Sequence, residues 1–161
     1  MQKIILVSGI TLLCFVIQTV FAKVFGPWWT PNFVLIAVVF FNLSRSLRTS
    51  LGAAFLGGFL LDSFSGSTVG VNIFSLVMCA FLVAWLKMYI YQPGVSESRT
   101  LVVFVIAAAN SLIQYIVIAS QSDVGFGEAL RSFIIPEILW TTMVASYTLE
   151  RLKQCALRLF A

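Results

Sequence analysis

The stretch LGAAFLGGFLLDSFSGSTVGVN, residues 51–72, decides how this chain folds. Its first eleven residues are apolar or small, with glycine at 52, 57 and 58; then comes one acid, Asp62, and a serine–glycine turn. In a bilayer this reads as a short helix. An acid directly after Phe59-Leu60-Leu61 needs a physical reason, because charge at membrane depth is costly and marks either a site or a packed contact. Ala53–Gly57 and Ala54–Gly58 are small-xxx-small pairs that let helix backbones approach closely, against the protein's own helices or against a partner's transmembrane helix. Gly66 and Gly70 share that spacing, but in a turn they serve backbone geometry. Ser67 or Thr68 offers an N-cap for the next helix.

The rest of the chain confirms the solvent. Of 161 residues, 60% are hydrophobic and 10% charged, and the mean hydropathy is +1.02. A soluble domain of this size cannot hide so much apolar surface, so a single transmembrane domain over residues 1–161 is expected. The pI near 9.2 does not signal nucleic acid, because the bases stand at the ends of apolar runs rather than in a stripe. Histidine is absent, which removes the commonest general base and metal ligand. Cys14, Cys79 and Cys155 are far apart and read as free thiols packed as small apolar groups. The N-terminal run has a signal-peptide look, but its apolar core is long enough to span and no A-x-A site comes after it, so a retained helix is expected.

Apolar segments fall at about 4–25, 32–43, 51–61, 71–89, 101–120 and 133–149. The second and third, at roughly 18 Å each, are short for a hydrocarbon core of about 30 Å. A re-entrant hairpin would bury Arg45 and Arg48 at its tip, so two short spanning helices are expected instead. Six spans with a cytoplasmic N-terminus place Lys3, Arg45, Arg48, Lys87, Arg99, Arg151, Lys153 and Arg158 inside, and only Lys23 and Arg131 outside. That asymmetry is a strong positive-inside signal and puts both termini in the cytoplasm; Trp28 and Trp29 suit the outer interface.

With this orientation Gln18, Asn32, Asp62, Asn72 and Glu137 fall at similar depth near the outer face, one from each of five helices. Asn110 and Gln114 add an i,i+4 polar face in the other helix. Such residues serve as interhelical hydrogen-bonding glue or as a functional rim, and Glu137 can pair with Arg131 or Lys23. No nucleophile elbow, phosphate loop or metal-ligand spacing occurs, so neither an enzymatic activity nor a cofactor or metal is expected.

Thr30-Pro31-Asn32-Phe33-Val34-Leu35, then Gly52 and Gly57-Gly58, then the run from Leu61-Asp62-Ser63-Phe64-Ser65-Gly66-Ser67-Thr68-Val69-Gly70 to Val71, resemble the MreD family of rod shape-determining proteins in the bacterial inner membrane. The likeness is sharpest over residues 30–90, and chain length and the six-span plan extend it to nearly the whole protein. The matching positions are Pro31, Asn32, Gly52, Gly57, Asp62, Gly66 and Gly70; many members carry aspartate where Asn32 stands. The resemblance implies an all-α six-helix transmembrane bundle like the S components of energy-coupling-factor transporters. It also implies a non-catalytic scaffold of the elongasome that links MreC and the peptidoglycan synthases, RodA and a class B penicillin-binding protein, to cytoplasmic MreB. Gly52, Gly57, Gly58, Asp62, Gly66 and Gly70 are the expected partner-binding positions, with MreC held through a helix. The alternative is an S component binding a vitamin-like substrate in the outer polar rim; against it, helix 1 offers no AxxxA pair for docking to a transporter.

Overall fold

The computed structural model describes the backbone of residues 2–26, 30–65, 70–90, 96–120 and 125–160, and these residues are helical apart from short turns. The helices are α1 (Gln2–Phe25), α2 (Phe33–Ser44), α3 (Leu47–Ser65), α4 (Val71–Tyr89) and α5 (Ser96–Ala119). A sixth rod is continuous through α6 (Phe126–Ala129), a π-helical turn (Leu130–Ile134) and α7 (Ile135–Phe160). By length and composition α1, α4 and α5 can each cross a membrane, over Ile5–Phe25, Val71–Tyr89 and Glu97–Val117.

The shortest of the six rods organises the others. α2 has 12 residues, and every one from Val34 to Asn42 is buried, on all faces. A helix that is hydrophobic all round belongs in a core, and α2 packs against α1, α3, α4, α5 and α7. At roughly 18 Å it cannot cross about 30 Å of hydrocarbon alone. It does not have to, because its neighbours surround it and carry the lipid-facing surface. Val16, Phe59, Phe81, Phe104 and Leu139 point away from α2 and are about half exposed. In water that belt would drive aggregation; in a bilayer it is the solvated surface.

α3 corrects the expectation of an 11-residue span over 51–61. It starts at Leu47 and runs 19 residues, about 28 Å, because the polar Arg48-Thr49-Ser50 step forms its first turn instead of a loop. Ser50 is the reason: it is fully buried and its hydroxyl donates to Val38 O at 2.9 Å, tying that turn to α2. α5 likewise begins five residues ahead of its apolar run.

The sixth rod also departs from the expected span of 133–149. Pro136 has no N–H to give to an i−4 carbonyl, and its ring crowds that carbonyl. The chain widens just before it: Ile135 N–H bonds to Leu130 O, five residues back, and helix continues on both sides. A widened turn relieves a proline without ending the helix, and it rotates the facing of the side chains beyond it. Glu137 is the next residue.

Candidate functional site

Helix ends expose backbone groups that need partners, and at membrane depth water is not available to supply them. The N-terminus of α2 is capped by the residue before it and from two other helices. Asn32 is its N-cap, accepting from Leu35 N–H through Oδ1 at 3.0 Å. Val34 N–H donates to Gln18 Oε1 of α1 at 3.2 Å, and Asn32 N–H donates to Thr141 Oγ1 of α7 at 3.0 Å. At the other end of α2, the Lys87 ammonium of α4 donates to Asn42 O at 2.9 Å and Leu43 O at 3.2 Å. A cation on the last carbonyls also complements the helix dipole. The Asn42 amide donates to Ala80 O at 2.7 Å and to Ser50 Oγ at 3.4 Å. Both ends of the buried helix are thus closed by side chains.

Asp62 performs the same service for α4. Its Oδ2 accepts from Gly70 N–H at 2.9 Å and Ile73 N–H at 3.3 Å, and its Oδ1 accepts from Asn72 N–H at 3.1 Å and Asn72 Nδ2 at 2.9 Å. Four donors and the positive end of a helix dipole hold one carboxylate that is 2% exposed. The chain reaches this geometry through Gly70, whose φ of +102° is in the left-handed region that favours glycine. Ser67 and Thr68, the other candidate caps, lie outside the described residues, as do Gly66, Trp28 and Trp29.

Glu137 is the second hub. Its Oε1 accepts from Asn32 Nδ2 at 3.4 Å and Asn110 Nδ2 at 3.3 Å, and its Oε2 accepts from Ser111 Oγ at 3.0 Å. Asn110 Oδ1 in turn accepts from Ser75 Oγ at 2.6 Å. Gln114, one turn along α5, donates to Asn72 Oδ1 at 3.3 Å, so the same helix contributes to both the Glu137 group and the Asp62 group. Neutral donors, not Arg131 or Lys23, meet the Glu137 carboxyl; those two cations are exposed.

The structure therefore places Gln18, Asn32, Asp62, Asn72 and Glu137 in adjoining hydrogen-bonded clusters that draw on all six rods, with α5 giving Asn110 to one and Gln114 to another. Sequence reasoning missed Ser75, Ser111 and Thr141, which are fully buried. Their signal was spacing: each stands one residue or one helical turn from a rim residue. It also missed Asn42, an isolated amide inside an apolar run, and the capping role of Lys87.

The glycine pair faces the protein's own helices, the first of the two contacts its spacing allows. A Cβ at Gly57 would overlap Val34 Cγ1 and come within 3.3 Å of Thr11 Cγ2. One at Gly58 would lie 2.6 Å from Ile73 Cα and 2.8 Å from Ile73 N, so α3 and α4 touch backbone to backbone there. Gly57 and Gly58, with Asp62, make contacts inside the chain. Gly52 does not: it is exposed, and none of the described residues stands near its missing side chain.

No solved structure matches this chain. The family model for rod shape-determining protein MreD matches residues 2–149, from the start of α1 through most of α7. The match takes in all six rods and every residue of the polar group. This chain accordingly belongs to the MreD family, membrane proteins of the rod-shape system.

Proposed function

We propose that the protein is a non-catalytic scaffold of the elongasome in the bacterial inner membrane, crossing it six times with both termini in the cytoplasm. In this role it connects MreC, RodA and a class B penicillin-binding protein to cytoplasmic MreB. One observation carries the reading: the two acids deep in the bundle, Asp62 and Glu137, are each held by three or more donors of the chain itself, in caps and helix contacts. Groups so fully engaged serve architecture. What the protein offers outward is its apolar belt, suited to other transmembrane helices.

Within that belt the MreC helix docks along the exposed side of α3, at Gly52, Phe55, Leu56 and Phe59. Gly52 is a notch where a second backbone can approach, and the three large side chains flank it one and two turns along. Gly57, Gly58, Gly70 and Asp62 act behind this face by fixing α3 against α2 and α4. Cross-linkers placed singly at Gly52 and Phe59 in cells expressing MreC test the site. Adducts with MreC from these positions, and none from Met143 on α7, are expected; adducts from Met143 alone would move the interface to the opposite rod.

A further inference from the structure

A groove of about 420 Å³ opens between α5 and α7, starting at the first turn of α5. Glu97, Thr100, Leu101, Phe104 and Thr142 line it. Its polarity is graded. Glu97 stands exposed in the first turn of α5. Thr100, one turn in, shares a hydrogen bond with Ser146 of α7 at 3.3 Å. Thr142 is one turn deeper along α7, level with Leu101 and Phe104, whose side chains are about half exposed. The Thr142 hydroxyl is buried and has no hydrogen-bond partner among the described residues. An unpaired hydroxyl is disfavoured in hydrocarbon, and threonine in a helix has two accessible χ1 rotamers, one of which can turn the oxygen toward an occupant.

We propose that this groove binds one phospholipid with a primary-amine headgroup. Carboxylate, then hydroxyls, then apolar side chains match the order ammonium, phosphate and glycerol ester, acyl chain in such a lipid. The carboxylate selects a cationic, hydrogen-donating headgroup over an anionic one. From Glu97 to Phe104 the groove covers about two helical turns, roughly 10 Å, which matches a headgroup and upper chain; a docked transmembrane helix would need contact along much more of the rod. The turned Thr142 hydroxyl donates to an ester oxygen of the lipid.

Native mass spectrometry of the purified full-length protein, titrated separately with phosphatidylethanolamine and phosphatidylglycerol, tests this directly. One phosphatidylethanolamine per chain is expected to persist at collision energies that strip phosphatidylglycerol. Glu97→Gln should weaken its retention about tenfold, the loss of one charge-assisted hydrogen bond, and bring the two lipids level. Thr142→Val, nearly the same shape, should weaken both lipids alike. Equal retention of the two lipids by the native protein, or an ethanolamine preference that survives Glu97→Gln, would overturn the site. Because the measurement uses no partner protein, its failure leaves the scaffold reading standing.

Discussion

Asp62 and Glu137 are both acids at membrane depth, yet their tolerance of substitution should differ. Asp62 accepts mainly from backbone N–H groups, which no mutation removes, so Asp62→Ala orphans the first turn of α4. A loss of about 2 kcal/mol is expected, with Asp62→Asn milder because one acceptor oxygen survives. Glu137 accepts only from side chains. Glu137→Leu strands three donors and should lower stability by about 3 kcal/mol, whereas Glu137→Gln keeps an acceptor and should lower it by about 1 kcal/mol. Thermal unfolding in detergent separates the four variants. An Asp62→Ala protein that melts with the native one would remove the capping role. That these residues come near one another is legible in the sequence once its apolar segments are laid side by side as antiparallel helices. Their partners are not, because which oxygen meets which N–H depends on how the helices are rotated, and a one-dimensional pattern leaves that free.

At the scale of the helix, α2 depends on both of its caps. Lys87→Met keeps most of the side-chain volume but removes the ammonium from Asn42 O and Leu43 O, and should cost about 1–2 kcal/mol. Gly58→Ala should cost about 2 kcal/mol, because the added carbon meets the backbone of Ile73, which cannot rotate away as a side chain could. Gly52→Ala, where the added carbon meets open space, should leave the melting temperature within a degree or two. If Gly58→Ala were as benign as Gly52→Ala, the close crossing of α3 and α4 would not exist. The glycine spacing announces a close approach but not its partner; only the packing separates the inward pair from outward Gly52. The π-helical turn was equally hidden, although its cause, Pro136, was in view. The expected span of 133–149 runs through Pro136, and helix does continue on both sides of it, but the widened turn depends on backbone geometry that residue types do not encode.

Taken as a whole, the molecule is a buried short helix wrapped by five longer rods, stitched at one end by a polar group and presenting apolar side chains to its surroundings. Hydropathy makes α1, α4 and α5 plain. The central position of α2 is less plain, since a 12-residue apolar run fits a lipid-facing helix as well as an enclosed one, and only burial on every face distinguishes the two. On the proposed reading, the polar interior builds the fold and the outer face of α3 builds the complex. The most direct measurement is recovery of MreC with tagged full-length protein, compared at equal amounts of monodisperse material, for Glu137→Gln and for Gly52→Leu. Glu137→Gln should recover MreC as the native protein does. Gly52→Leu, which fills the notch without touching the interior, should lose most of it. Normal recovery with Gly52→Leu together with loss in a well-folded Glu137→Gln protein would contradict the claim and make the polar group itself the binding site.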